Sequence, residues 1–237
     1  MVMPLRYNGR DVYIIAHRGG GGLYPENTMA AFMGVQNMGV DAVECDVQLT
    51  KDGKLAVIHD PDLKRLAGID TQVREVDSKE IRRIKLKSGD KILLLEDLLD
   101  RITIPIVIEL KSVDTISSLF GILEKGPELL GRCIFISFFH EALYALKQRF
   151  PEASCGALLA GFPMDPVSMV RKCGCDTISL NYEGLTKDYV DRCHEGGIRV
   201  SVWAPSDGDG IRSSLNAGID AIASDRPDLV IEMAKSR

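Results

Sequence analysis

Three things are missing from this sequence: a block of lysine or arginine, a long apolar run, and a CxxC pair. The formal charge of -5 is mild and spread along the chain, which argues against a nucleic-acid or anionic-membrane footprint. Near the N-terminus the apolar run Tyr13 to Ala16 is cut at once by His17 and Arg18. That suits neither a signal peptide nor a membrane span, so a cytoplasmic protein is expected. The cysteines Cys45, Cys133, Cys155, Cys173, Cys175 and Cys193 are scattered, mostly in apolar surroundings. They read as reduced core residues of a cytosolic protein, not as zinc ligands. Internal repeats and low-complexity linkers are absent as well, so a single domain over residues 1–237 is expected. A chain of this size buries roughly 70% of its unfolded surface without help from disulfides or metals. Nothing in the sequence fixes an oligomeric state.

What is present is an alternation. Eight short apolar runs read as strands: Tyr13–His17, Ala42–Val47, Ile106–Leu110, Ile134–Phe138, Ser154–Leu159, Thr177–Leu180, Ile198–Trp203 and Asp220–Ala223. Between most of them apolar residues recur three and four apart, as on a helix face; Phe32, Val35 and Met38 do so before Gly39. Strand and helix repeated eight times predict an α/β fold, the (β/α)8 TIM barrel, with an open doubly wound sheet as the alternative. One region breaks the rhythm. Residues 51–94 hold a charged, turn-rich tract, KEIRRIKLKSGDK, without one strong face. They read as a small insertion on the barrel rim after the second strand, not as a second domain.

The segment VECDVQLTKDGKLAVIHD, residues 43–60, places Glu44 and Asp46 inside an apolar strand. Val43, Cys45, Val47 and Leu49 alternate with Glu44, Asp46 and Gln48, so the two sets face opposite ways. On a barrel strand the apolar set packs on helices and the acids point inward near the C-terminal mouth. Two inward carboxylates two residues apart repel each other and resist desolvation unless a cation joins them. Glu109, at the end of the next strand, adds a third acid. Three acidic oxygens suit Mg²⁺, Ca²⁺ or Mn²⁺ better than zinc. Asp52-Gly53 suggests a two-residue hairpin loop, which would set Asp46 opposite His59.

Other residues gather at the predicted rim. His17 ends the first strand, where catalytic residues of such barrels lie, and Arg18 beside it offers a fork for phosphate. Gly19–Gly22 permits close approach of a ligand, although no Gly-Lys-Ser/Thr follows. Glu26 is a candidate for the metal shell or its support, and either Asn27 or Thr28 for a helix N-cap. Lys111 shares the face of Glu109, near any bound anion. Trp203 closes the seventh strand as a pocket wall or a core residue. His140 and His194 fall in helical stretches and are expected to face solvent.

Taken together, the chain resembles the glycerophosphodiester phosphodiesterase family. The matching motifs are HRG at 17–19, PENT at 25–28, VExDVxLTKDG at 43–53 and HD at 59–60. They continue with ExK at 109–111, SF at 137–138, Trp203 and GIDAIASDRPD at 218–228. The resemblance implies a barrel with a small insertion after the second strand. It also implies calcium or magnesium on Glu44, Asp46 and Glu109, and an acid–base pair of His17 and His59. The implied substrate is a small glycerophosphodiester, cut to glycerol 3-phosphate and an alcohol, with Arg18, Lys111 and Trp203 around it and Glu26 and Asn27 in support. Three departures stand out: Trp203-Ala204-Pro205-Ser206 where Trp-Thr-Val-Asn is frequent, ASD at 223–225 for ITD, and Leu-Leu-Leu-Glu at 93–96 for Ile-Pro-Thr-Leu-Glu. Competing readings are a non-catalytic polyol-phosphate binder, a phosphodiesterase for lysophospholipids or phosphoinositides, and an aldolase or isomerase. The last would want a mouth lysine after the seventh and eighth strands, which end in WAPSDGDG and ASDRPD.

Overall fold

A computed structural model describes residues 5–235; the remaining termini of the expected 1–237 domain lie outside the described residues. Strand β1 (Leu5–Tyr7) lies antiparallel to β2 (Arg10–Ala16). There follow β3 (Ala42–Leu49), β4 (Leu55–Val57), β5 (Leu93–Leu94), β6 (Ile106–Leu110), β7 (Cys133–Ser137) and β8 (Ser154–Leu159). β9 (Thr177–Asn181), β10 (Arg199–Trp203) and β11 (Ala221–Ser224) complete the set. β2, β3 and β6 through β11 pair in parallel, and β11 returns to β2. The result is a closed eight-stranded barrel with helices between its strands. These strands end within three residues of the runs read from the sequence.

Register explains the two faces. Val43, Cys45 and Val47 stand beside Ile106, Ile108 and Leu110, and all six enter the main core against the helices. Glu44 and Asp46 stand beside Val107 and Glu109 on the other face of the wall, and Glu44, Val107 and Glu109 line the barrel interior. The helix Met29–Met38 begins where the Thr28 hydroxyl accepts the Ala31 N–H, and ends at Gly39 with φ of 90°. Thr28 is therefore the cap, which frees Asn27 for other work. All six cysteines are buried and free. No helix among the described residues is long and apolar enough to cross a membrane.

Residues 51–94 pair with the barrel through β4 on β3, and β5 on β4. They carry a small core of their own, which includes Ile58, Leu63, Val73, Ile81, Leu86 and Ile92. The charged tract contributes Ile81 and Leu86 from a four-residue helix, Ser78–Ile81, and the turn after it. A single helical turn cannot show a periodic face, which is why none was visible.

The hairpin register differs from expectation. Val47 pairs with Val57, Gln48 with Ala56 and Leu49 with Leu55, so Asp46 lies across from Ile58, not His59. The Thr50 N–H donates to the Lys54 carbonyl at 2.8 Å, and the Lys54 N–H donates to the Thr50 hydroxyl at 2.8 Å. That leaves Lys51-Asp52-Gly53 as a three-residue loop, with Gly53 at a φ of 75°. Three-residue hairpin loops commonly carry such a left-handed third residue.

Candidate active site

Glu44, Asp46 and Glu109 converge at the C-terminal mouth, each offering a ligand atom within 4.8 Å of the others. All three are buried. Glu44 Oε2 accepts the backbone N–H of Arg18 at 2.8 Å, while its Oε1 is buried without a hydrogen-bond partner. Asp46 Oδ2 accepts from Asn27 Nδ2 at 2.9 Å, and Arg18 Nε lies 3.5 Å away. Asp46 Oδ1 lies 3.2 Å from Lys111 Nζ, an ion pair outside hydrogen-bonding angles. Lys111 also donates to Glu109 Oε1 at 2.7 Å. Asn27 Oδ1 is a further buried oxygen without a partner.

Charge is unevenly settled here. Burial, then the Asp46 charge, pushes Glu44 up to about 8. Burial and Asp46 also raise Glu109. Burial works against the Asp46 carboxylate too, but Lys111 and Arg18 outweigh it and hold Asp46 below its usual range. One lysine and one arginine thus serve three buried acids. Orphaned carboxylate oxygen and crowded like charge, with only oxygen donors present, fit a hard divalent cation.

His17 follows β2 in a tight turn where Arg18 has φ of 52° and Gly19 of 76°. A Cβ on Gly19 would sit 2.9 Å from that of Ala31, so glycine is needed for this turn to pack on the helix. The turn sets His17 Nε2 4.0 Å from Glu44 Oε2 and His17 Nδ1 2.8 Å from Asp225 Oδ1. His59 Nδ1 lies 2.8 Å from Asp60 Oδ1, and Gln48 Nε2 donates to the His59 carbonyl at 2.9 Å. An ionised carboxylate only accepts, so both histidines carry a proton on Nδ1 and present Nε2 to the mouth. Burial lowers both imidazoles. For His17 the Asp225 bond and the Glu44 charge prevail, and the net shift is upward; for His59 burial prevails, and it is downward.

Arg18 and Lys111 are engaged by acids. The Arg18 guanidinium reaches Glu26 Oε1 at 3.3 Å. Glu26 is not part of the carboxylate triad. It accepts two hydrogen bonds from Arg65, at 2.8 and 2.6 Å, and the same guanidinium holds Asp60 at 2.6 and 3.1 Å. Trp203 is half-buried, its Nε1 donating to the Ser179 carbonyl at 3.4 Å and its ring edge-on to Phe138. His140 and His194 do not simply face solvent. The first lies 3.0 Å from the Leu158 carbonyl, the second 2.8 Å from Asp220.

Sequence reasoning missed Asp225, Asp60 and Arg65 as members of this cluster. Asp60 was legible in the HD pair and Asp225 in the closing SDRPD. Arg65 carries no local signal, since its meaning depends on how 51–94 folds back.

Residues 17–229 match the model of the glycerophosphoryl diester phosphodiesterase family. A glycerophosphodiester phosphodiesterase of Bacillus altitudinis is 31% identical, over 93% of this chain and 97% of its own. The structure of a glycerophosphodiester phosphodiesterase from Thermotoga maritima superposes with a TM-score of 0.81 at 28% identity, covering 94% of this chain and 99% of that one. A phosphodiesterase of Oleispira antarctica, solved with the product sn-glycerol-3-phosphate, has the same fold: TM-score 0.85, 24% identity, 95% of this chain and 97% of that one. With acids, histidines and closing aspartate meeting at one mouth, and the match running from His17 into the last helix, Pro227–Lys235, the chain belongs to the glycerophosphoryl diester phosphodiesterase family.

Proposed function

We propose that this protein hydrolyses glycerophosphodiesters to glycerol 3-phosphate and an alcohol, with His17 and His59 as general acid and base beside a divalent cation. The observation that carries the reading is the convergence of Glu44, Asp46 and Glu109 with two carboxylate-backed imidazoles at one end of the barrel. Glu44, Asp46 and Glu109 would hold Mg²⁺ or Ca²⁺, with Mn²⁺ as a further fit, and Asn27 and Glu26 support them through Asp46, Arg18 and Arg65. When bound, such an ion supplies a positive charge that stabilises the phosphoryl oxygens.

The chain's own residues do the rest. The opposite pKa directions suit a division of roles: His17, shifted upward, gives its Nε2 proton to the departing alcohol, and His59, shifted downward, takes one from the attacking hydroxyl. The Asp225 bond, the larger of the contributions that raise His17, does not depend on the Glu44 charge. The net reaction consumes one water and returns each imidazole to its starting state. Arg18 and Lys111 stand within reach of the mouth to offset charge on phosphate, and Trp203 walls the pocket. Residues 51–94 act as a rim insertion in one domain, delivering His59 and, through Arg65, fastening it to the loop after β2.

Glycerophosphocholine turnover after chelation, with Mg²⁺, Ca²⁺ and Mn²⁺ restored singly, tests this reading. His17→Ala and His59→Ala are each expected to lower kcat by about 10²–10⁴-fold with circular dichroism unchanged. Near wild-type turnover in both variants would end the acid–base assignment.

A further inference from the structure

The two histidines of the mouth are held in different ways. Asp225 reaches His17 from the end of β11, so closure of the barrel fixes that pair. Asp60 is the residue directly after His59, beyond the end of β4. Successive side chains of an extended chain point apart, so a bond between residues 59 and 60 gains nothing from local geometry. Gln48 anchors the His59 backbone, not its ring. The His59 side chain is 33% exposed, and an exposed ion pair is worth little unless it is bidentate or part of a network.

Arg65 makes it both. Four of its five N–H donors go to two carboxylates: Nε and Nη2 to Asp60 at 2.6 and 3.1 Å, Nη1 and Nη2 to Glu26 at 2.8 and 2.6 Å. Each acid has a second partner at the mouth. Asp60 Oδ1 meets His59 Nδ1 at 2.8 Å, and Glu26 Oε1 meets Arg18 Nη1 at 3.3 Å. Burial opposes both carboxylates, but the Arg65 bonds prevail and hold Asp60 and Glu26 below their usual ranges. An ionised Asp60 only accepts, so His59 keeps its proton on Nδ1 and leaves Nε2 to the substrate.

The core of the insertion aims Arg65. Its helix, Lys64–Ala67, is a single turn and too short to be stable alone. Leu63 is buried in the small core of residues 51–94 and Leu66 packs against it, while Arg65 between them reaches out to Glu26. Backbone bonds pin both leucines: the Leu63 N–H donates to the Thr71 carbonyl at 3.0 Å, and the Leu66 carbonyl accepts from the Lys87 N–H at 2.8 Å.

We propose that Arg65 is a positioning residue for the reaction: its guanidinium clamps Asp60 to Glu26, and so fixes the His59 ring as proton acceptor together with the Arg18 guanidinium. This rests on the phosphodiesterase reading and gives the insertion its task within it. A lysine cannot replace the fork, since one ammonium does not hold two carboxylates in bidentate geometry.

The test is kinetic and spectroscopic, on the metal-supplemented full chain with glycerophosphocholine. Arg65→Ala is expected to lower kcat by about 10–10²-fold, and Arg65→Lys to fall nearly as far. Arg82→Ala, which breaks the 2.8 Å ion pair of the insertion with Asp97, should leave kcat within about twofold. In an Asp60→Asn background, Arg65→Ala should cost less than about threefold more in kcat, because both substitutions break one link. Added guanidinium, far below denaturing concentration, should restore part of the lost kcat to Arg65→Ala and none to Asp60→Asn. The ring nitrogen NMR signals of neutral His59, identified by their loss in His59→Ala, should show the Nδ1–H tautomer in the wild type. In Arg65→Ala they should show a mixture with the Nε2–H form. Unchanged kcat in both Arg65 variants overturns the proposal. So does a fully additive loss with the His59 tautomer unmoved, which would make Arg65 a fastening of the fold alone. If Arg65→Ala does not fold, Arg65→Lys decides by the same readings. If the wild type does not hydrolyse glycerophosphocholine, the phosphodiesterase reading fails instead. The His59 signals then decide the clamp alone: a tautomer shift in Arg65→Ala supports it, and an unmoved signal refutes it.

Discussion

Glu44 is buried beside two other carboxylates, and a charge there is opposed by burial and by Asp46 together. Glutamine at this position keeps the shape and removes that opposition. Glu44→Gln is therefore expected to raise Tm in chelator while weakening divalent-ion affinity at least tenfold; equal affinity by calorimetry would remove Glu44 from the ligand set. Asp225 acts one step further out. It accepts the Nδ1 proton of His17 and is the largest contribution that raises this imidazole. Asp225→Asn should lower the His17 pKa. An acid must be protonated to act, so the alkaline limb of the kcat profile should move to lower pH while KM changes little. A change confined to KM, with the limb in place, would mark Asp225 as a substrate contact instead. The acids of the triad could be read from the sequence because alternation with valines is local. Asp225 stands out in its own motif, but its pairing with His17 could not be read, because the two lie 208 residues apart and become neighbours only when β11 closes on β2.

At the scale of elements, the hairpin between β3 and β4 shows where sequence reasoning stops. The Asp-Gly pair correctly marked a turn after the acids, but the loop length depended on Thr50, whose hydroxyl and backbone both hold Lys54. A local pattern does not reveal that clasp, and a one-residue change in loop length alters every pairing. His59 still reaches the mouth, since the chain leaves β4 at Val57 and turns before it. The same loop is fastened to the helix Ser78–Ile81 through Asp52, which accepts from the Ser78 N–H at 2.8 Å and the Ser78 hydroxyl at 2.6 Å. These bonds hold the Asp52 carboxyl down to about 2. A depressed carboxyl contributes stability above its unfolded pKa, near 3.9, and loses it as pH falls toward the folded value. Ser78→Ala should therefore lower stability at neutral pH and flatten the loss of stability between about pH 4 and pH 2. An acid denaturation profile parallel to that of the wild type would show that the tie does not couple to folding.

Over the whole molecule, closure was legible because strand and helix alternate eight times, and closure is what brings distant acids and histidines together. The clamp at Arg65 was not. Its two carboxylates, Glu26 and Asp60, come from the loop after β2 and from the insertion, and they meet only when residues 51–94 fold back onto the barrel. Closure also makes the site a stability device. Its members come from β3, β6, the turn after β2 and residues 51–94, so a cation held by Glu44, Asp46 and Glu109 would join elements that otherwise repel at their mouth ends. A ligand that binds only the folded state adds about 2.7 kcal/mol at a hundred times its Kd. For a domain of about 150–250 residues each kcal/mol moves Tm by about 2–4 °C, so saturating Mg²⁺ or Ca²⁺ should raise Tm by about 5–11 °C. Asp46→Asn should abolish most of that rise, since Asp46 is the member of the triad held most firmly ionised. A melting curve indifferent to Mg²⁺, Ca²⁺ and Mn²⁺ alike, in protein first stripped with chelator, would mean that Lys111 and Arg18 are the only counter-ions these acids have.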